Sequence, residues 1–176
     1  MSLPLHALVL PSLTHGLRQL SHILEVGARH AAETGLDPAS LITARLAPDM
    51  LDLAAQVQRA SDTAKATGER LSGIPAPKLA DTERSFDELQ ARVAATLDYL
   101  ESLPDDQVDA GATREITLKF GPMGARFTGS DYLIQFGLPN FHFHLVTAYA
   151  ILRHQGAPLG KRDFLGQIGT PLAVEG

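Results

Sequence analysis

The sequence predicts an all-α protein, a bundle of four helices with one small β-hairpin inserted before the last helix. Along four long segments the apolar residues recur every three or four positions, which is the period of one helix face. Over residues 114–128 the period changes to two, as in a strand. Apolar residues make up 44% of the 176 residues, enough to build the core of a single domain spanning residues 1–176.

The first helix is expected from about Pro11 to Thr34. Pro11 suits a first turn, because its missing N–H would have no helical partner there. Gly35 suits the position just after the helix, where a left-handed backbone is common. The apolar stripe between them consists of Leu13, Leu17, Leu20, Leu24 and Ala28. The pattern assigns no element to residues 1–10.

The next two helices are predicted from their proline-containing starts. Asp37 followed by Pro38 is typical of a helix cap and a first helical position, and this short helix is expected to end near Arg45. Pro48 is expected to open the second long helix. Its inward face combines apolar and small side chains, which allow a close neighbour or leave room for a ligand: Met50, Leu53, Val57, Ala60, Ala64, Thr67 and Leu71.

The third long helix and the hairpin follow a break rich in glycine and proline at 73–77. Asp81 is expected to cap the helix, whose apolar stripe runs from Phe86 to Leu103 and ends before Pro104. Alternating residues over 115–120 predict a strand, and the stretch 121–124 predicts a turn into the return strand.

The fourth long helix is expected from near Ser130 to about Gln155. Pro139 lies inside this range. An interior proline cannot donate the helical hydrogen bond, so we expect a kink or break there. Gly156 and Pro158 are expected to end the helix.

Composition excludes several classes of function. The chain has no cysteine, which excludes disulfides and thiolate metal ligands. Its formal net charge is -5 without a basic block, so we expect no nucleic-acid partner, since such binding needs a basic surface. No apolar run approaches the roughly 20 residues of a membrane-spanning helix. No basic residue precedes the apolar N-terminal stretch, as it would in a secretory signal, so we expect a cytoplasmic protein without membrane partners.

Three histidines, His15, His22 and His30, share the side of the first helix opposite its leucine stripe. Residues seven positions apart lie about 10 Å apart along a helix, too far to clamp one ion by themselves. We therefore predict that they form a solvated face. His154 is predicted to act in the last turn of the fourth helix, where the helix dipole favours a cation. The charged run at 161–163 is predicted to be solvated or paired with itself.

His144 is the histidine predicted to face the bundle interior. His142 and His144 are two residues apart and diverge by about 200° on a helix, so only one points inward. His144 shares its direction with Ala148. Gln58 and Asp62, four residues apart, are neighbours on one face of the second long helix. They form either a polar edge of that helix or a polar site facing His144 across the bundle.

Two C-terminal segments carry a resemblance to a known family. Residues 138–156 read LPNFHFHLVTAYAILRHQG, and residues 159–166 read LGKRDFLG. Together they resemble the C-terminal signature of a bacterial family of unknown function within the DinB/YfiT-like superfamily. Residues 45–50, RLAPDM, and the pair at 56–57 are similar to that family's second-helix signature. The resemblance covers nearly the whole chain.

The resemblance implies a four-helix bundle with a long crossover, assembled as a homodimer. In the superfamily, one histidine of helix two and an H-x-x-x-H pair of helix four bind a divalent metal. Some members are metal-dependent thiol transferases or hydrolases. His144 matches the first histidine of the pair, but Ala148 stands at the second position and Gln58 at or near the helix-two position. Two of the three ligands of the superfamily are therefore replaced.

Three functions are open at this point. The first is binding of a small ligand or partner in the cleft between helices two and four, by Gln58, Asp62, His144, Tyr149 and Arg153. The second is a divalent-metal-dependent enzyme with His144 as a ligand of zinc, nickel or manganese. The third is a purely structural homodimer or interaction protein. Whether the chain is an enzyme depends on which of these holds, because function lives in the site rather than in the fold.

Overall fold

Four long helices form the frame of the computed structural model, which describes residues 3–167 and 169. They are α1 (Leu5–Thr34), α3 (Leu53–Ser72), α4 (Phe86–Glu101) and α7 (Leu138–His154). Shorter helices within the same residues are α2 (Pro38–Ile42), α5 (Asp105–Ala110), α6 (Gly129–Tyr132) and α8 (Lys161–Leu165). Strands β1 (Glu115–Phe120) and β2 (Met123–Thr128) pair antiparallel between α5 and α6. The predicted helical bundle with a hairpin before the last long helix is confirmed.

The long helices form a ring in which each packs on two long neighbours. Both α1 and α3 pack against α4 and α7, while α1 and α3 lie across the diagonal of the ring. Residues 35–52 cross that diagonal to join α1 to α3, and the connection with the hairpin leads from α4 to α7. The predicted leucine and alanine stripes fill the interior, with these members fully buried: Leu13, Leu17, Leu20, Leu24, Leu53, Val57, Ala60, Ala64 and Leu71.

The first helix begins earlier than the sequence indicates. α1 starts at Leu5, so Pro11 lies inside the helix and not in its first turn. The first turn is capped from another element, because Asp109 of α5 accepts hydrogen bonds from the backbone N–H and from the ring Nδ1 of His6, both at 2.8 Å. This tertiary contact explains why the local sequence did not indicate the true start. Gly35 ends the helix with φ 70°, as predicted.

The second and third long helices begin later than predicted. Asp52, not Pro48, precedes α3, and its carboxylate accepts from the N–H of Ala55 at 2.9 Å. Ser85, not Asp81, precedes α4 and forms a capping box with Glu88. The carboxylate of Asp81 contacts two arginines instead, as described below. The predicted cap of the short helix is confirmed, because Asp37 caps α2. This helix ends at Ile42 and not near Arg45 as predicted.

The predicted interruption of the fourth long helix is present just before Pro139. Residues Leu133–Gly137 form a π-helical turn, in which the N–H of Leu138 donates to the carbonyl of Leu133, five residues back. Pro139 then lies in the first turn of α7, where its missing N–H has no helical partner in any case. The wide turn therefore accommodates the proline, and α7 continues to His154.

The hairpin is short and two-stranded. Its register pairs Glu115 with Thr128 and Leu118 with Ala125, around a turn that begins at Gly121 with φ 59°. Ile116 and Leu118 are buried, so one face of β1 packs on the bundle. Within the described residues, no helix combines the length and the apolar character that crossing a membrane requires.

Candidate functional site

His144 lies at the seam between α3 and α7, where Gln56 fixes its ring. The ring Nδ1 is 2.8 Å from Oε1 of Gln56, and the amide Nε2 of Gln56 donates to the carbonyl of Leu51 at 3.2 Å. Because the amide nitrogen is used as that donor, Oε1 is the acceptor, and Nδ1 of His144 carries the proton. The lone pair of the neutral imidazole then lies on Nε2.

The Nε2 atom of His144 is open. It forms no hydrogen bond within the described residues. Among those residues, the buried side-chain atoms that lack a partner do not include it, so it is not buried and solvent reaches it. Burial of the half-buried ring lowers the pKa of His144, and the nearby cation of Arg59 lowers it further. His144 is therefore a neutral acceptor at pH 7, ready to accept a hydrogen bond.

Asn140 supplies a second acceptor on the same side of α7. It lies one turn before His144, and its Nδ2 donates to Oγ1 of Thr63 on α3 at 2.7 Å. The hydroxyl of Thr63 donates in turn to the carbonyl of Arg59 at 2.7 Å. Oδ1 of Asn140 keeps its lone pairs, so two acceptors face the same stretch of the seam.

An apolar rim flanks these acceptors. Phe143 is 57% exposed, and its ring meets that of His144 edge to face, with centroids 5.2 Å apart. Leu51, whose carbonyl holds Gln56, is 43% exposed. An aromatic ring and an aliphatic side chain next to open polar atoms are the usual composition of a small-molecule site.

Gln58 and Asp62 do not meet His144. They lie on the other polar face of α3, towards α4 and residues 73–85. Gln58 donates to Glu83 at 2.9 Å, and Asp62 accepts from Arg92 at 2.9 Å. Asp62 also lines a surface groove of about 410 Å³ between α3 and residues 75–81. The structure thus places these two predicted site residues in a different cluster from His144.

Arg92 is the centre of that second cluster. Its side chain is 1% exposed and contacts three carboxylates: Asp62 at 2.9 Å, Asp81 at 2.8 Å and Glu83 at 2.6 Å. Arg59 also pairs with Asp81. Burial raises the pKa of Glu83, but hydrogen bonds from Arg92 and Gln58 outweigh this effect and lower it overall. Only Nε of Arg92 lacks a partner among the buried side-chain atoms of the described residues.

Tyr149 and Arg153 lie away from both clusters. The half-buried ring of Tyr149 faces α8, with its centroid 6.3 Å from that of Phe164. Arg153 is exposed in the last turn of α7. Of the five residues predicted to bind a ligand together, the structure therefore groups Gln58 with Asp62 and leaves His144 on a different face of α7 from Tyr149 and Arg153, which are four residues apart.

The three histidines of the predicted solvated face of α1 contact the C-terminal part of the chain, although His15 is exposed and the side chain of His22 is 43% exposed. Nε2 of His15 is 2.9 Å from the carbonyl of Leu165, and Nε2 of His22 is 2.8 Å from Oδ1 of Asp163. Nε2 of His30 lies 3.3 Å from the carbonyl of Gln155. The charged run at 161–163 is consequently part of a docked helix, α8, although Lys161 and Arg162 are exposed as predicted.

Gln56, Thr63 and Asn140 are site residues that the sequence analysis missed. Two signals were available. Asn140 and His144 are four residues apart, and Gln56 and Thr63 are seven apart, so each pair shares a helix face. Gln56 and Gln58 diverge by about 200° on a helix. Which of them faces α7 depends on the packing of the helices.

The metal site of the DinB/YfiT-like superfamily does not fit this set of side chains. Gln58 is turned towards Glu83, and Ala148 is fully buried and has no donor atom. The donors that do adjoin His144 are the amides of Gln56 and Asn140, which are weak ligands for zinc or nickel. Across residues 3–167 and 169, no three histidine or carboxylate side chains are grouped so that they could hold a metal.

Comparison with known proteins agrees with the architecture. Residues 5–165 match the family described as a domain of unknown function, DUF1993. The chain is also similar to a crystal structure of a DinB family member protein from Shewanella denitrificans, with 35% identity and a TM-score of 0.88. The match covers 96% of each chain. No curated protein matches the sequence.

Proposed function

We propose that the chain, which belongs to the DUF1993 family and has a DinB-like fold, binds a small ligand at the seam between α3 and α7. The ligand presents hydrogen-bond donors to Nε2 of His144 and Oδ1 of Asn140. The observation that carries the proposal is the bond from Nδ1 of His144 to Gln56, because it leaves an oriented, unused acceptor at a half-buried position.

Electrostatics narrows the class of ligand. The cation of Arg59 is close enough to lower the pKa of His144, so a cationic ligand would meet repulsion there. The exposed ring of Phe143 and the exposed side chain of Leu51 offer apolar contact beside the acceptors. A neutral or anionic molecule with an N–H or O–H donor and an apolar part fits best. A peptide segment with the same groups is the alternative occupant.

A fragment screen tests this proposal. Small amides, alcohols and phenols are added to the full chain, and binding is followed by thermal shift and by amide chemical shifts in NMR spectra. We expect fragments that perturb the signals of His144 and Asn140. His144→Ala should weaken their binding at least about tenfold, or ~1.4 kcal/mol.

The matched control is His154→Ala, which removes an exposed histidine from the far end of the same helix. It should bind the same fragments with wild-type affinity. If no fragment binds at millimolar concentration, or if every binder is indifferent to His144→Ala, the proposal is wrong.

The metal-dependent enzyme remains the alternative because the lone pair on Nε2 of His144 is in the metal-binding form. Only one superfamily ligand supports it. Elemental analysis of tag-free protein distinguishes the two functions. About one equivalent of zinc, nickel or manganese, lost in His144→Ala, would replace ligand binding as the preferred function. We expect less than a tenth of that amount in both proteins.

We also propose that the chain forms a homodimer, as the resemblance implies. The support is an apolar stripe on the outer face of α7, where Phe143 is 57% and Val146 is 45% exposed. Light scattering at micromolar concentration should give the mass of a dimer for the wild type and of a monomer for Val146→Asp. A wild-type monomer would remove this proposal.

We also predict a single domain, a location in the cytoplasm, and the absence of nucleic-acid and membrane partners. The acidic composition, with a formal net charge of -5, supports the absence of a nucleic-acid partner.

A further inference from the structure

Residues 160–166, which we call the strap, lie along α1 and also contact α7. The strap contains α8 and follows Leu159, which is buried. Two histidines of α1 hold it. Nε2 of His22 is 2.8 Å from Oδ1 of Asp163, and Nε2 of His15 is 2.9 Å from the carbonyl of Leu165. Because carbonyl and carboxylate oxygens only accept, both rings donate from Nε2.

The attachment of the strap is polar and shallow. None of the residues of α8 is buried. Within the described residues, its one aromatic contact joins the half-buried ring of Phe164, at the edge of the hydrophobic core, to Tyr149. The bond from His22 is the largest cause of a lowered pKa at Asp163, followed by the backbone N–H of Gly160. Segments with few buried apolar contacts are the ones that open locally in folded proteins.

The strap covers side chains that can carry protons. Tyr149 packs under Phe164. His142 lies on the same face of α7, seven residues before Tyr149. It forms no hydrogen bond within the described residues, and burial lowers its pKa. The strap therefore lies beside a polar and aromatic surface between α1 and α7, in which His142 and Tyr149 are half-buried while His15 and His22 stay partly exposed.

We propose that the strap is a lid that opens as one unit while the bundle stays folded. The pair of His22 and Asp163 is its fastener. Leu159, which is 2% exposed, anchors the hinge end, and opening exposes the face of α7 that carries Tyr149 and His142. This inference concerns a different surface from the His144 site and stands independently of it.

Native-state hydrogen exchange of the full chain, read by NMR, tests the lid. The reporter amides are those of Asp163 and Gly166, which donate to the carbonyls of Gly160 and Arg162 at 3.1 and 2.8 Å. These bonds lie within the strap, and a helix of five residues does not hold them once the strap has left α1. In the wild type they should exchange by local opening, with little dependence on urea. Amides in the middle of α3 should exchange only by global unfolding, with a steep dependence on urea.

The fastener is tested by His22→Leu and, separately, by Asp163→Asn. Each should raise the exchange rates of the strap amides roughly threefold to tenfold, as expected for a partly exposed charge-assisted hydrogen bond. The rates in α3 should rise by no more than the same factor, because global unfolding also breaks this bond, and the urea dependence of both sets of amides should stay as in the wild type. The double variant should exchange no faster than the faster single variant, because both substitutions remove one interaction.

His154→Leu is the matched control, since it removes an exposed histidine outside the strap. It should leave the strap amides at wild-type rates. The lid is refuted if the wild-type strap amides show the same urea dependence as α3. It is also refuted if neither His22→Leu nor Asp163→Asn changes their exchange.

Discussion

The two polar faces of α3 differ in how completely their groups are used. On the face towards α4, Asp62 joins Asp81 and Glu83 around the buried guanidinium of Arg92, and each carboxylate meets a cation. On the face towards α7, Gln56 binds only one nitrogen of His144 and leaves the other open. Each face carries one glutamine of α3, Gln58 on the first and Gln56 on the second. Within the described residues, the unused atom of the first face, Nε of Arg92, is buried, whereas Nε2 of His144 on the second face is open to solvent. An unused polar atom therefore points to binding only where a ligand can reach it.

The largest loss of unfolding free energy is expected from Arg92→Ala, on the face of α3 towards α4. The substitution leaves the buried carboxylate of Glu83 without its cation, which typically costs about 3–5 kcal/mol of unfolding free energy. Urea denaturation followed by circular dichroism measures the change. Arg153→Ala, at an exposed arginine of α7, is the control and should stay within about 0.5 kcal/mol of the wild type. A loss below about 1 kcal/mol in Arg92→Ala would contradict the structural role of the cluster.

A smaller loss is expected from Gln56→Leu. This variant removes the acceptor from Nδ1 of His144 and leaves the carbonyl of Leu51 without its side-chain donor, at a cost of about 1–2 kcal/mol. The ring should then populate both tautomers, which 15N chemical shifts of the imidazole report. Gln58→Leu is the matched control on the other face. It should lower stability through Glu83 but leave the tautomer of His144 as it is in the wild type.

The smallest effect concerns pH. Burial and then Arg59 lower the pKa of His144, so the unfolded chain binds a proton at this residue more readily than the folded chain does. The contribution of His144 to stability is therefore present above the unfolded pKa of about 6.5 and is lost as pH falls towards the lowered folded pKa. The lowered pKa of Glu83 affects stability in the same direction. Its contribution is lost at lower pH, as the pH falls from the ordinary carboxyl range towards the lowered folded pKa.

His144→Ala isolates this term. Unfolding free energies of the variant and the wild type, measured by urea denaturation between pH 7.5 and pH 5, should converge as the pH falls. Since His142 also has a lowered pKa, its contribution is common to both proteins and cancels in the difference. A difference that stays constant across this range would contradict the lowered pKa of His144.

The sequence predicted the helices well because a core stripe is a local signal. The stripe of α3, from Leu53 to Leu71, has the correct period whatever precedes it. The helix starts were less predictable, since Pro48 and Asp81 look like start signals as much as Asp52 and Ser85 do. The carboxylate of Asp81 contacts Arg92 instead of capping a helix. A tertiary contact of this kind cannot be predicted from the residues next to Asp81.

The site was predictable in part, for the same reason. His144 could be found because it is a polar residue on the inward side of an apolar helix. Its partner could not be chosen between Gln56 and Gln58, because the choice depends on which neighbour each face of α3 meets. Tyr149 was assigned to the same site as His144, yet the five-residue step between them turns it towards α8.

The position of the proton on the His144 ring tests the proposed ligand site most directly. Long-range 1H–15N NMR of the full chain at pH 7.5 distinguishes a protonated from an unprotonated ring nitrogen, with His144→Ala to assign the signal. We predict a proton on Nδ1 and an unprotonated Nε2 that shifts when a donor fragment binds. A proton on Nε2, or a doubly protonated ring, would show that no open acceptor exists at this seam and would contradict the proposed binding function.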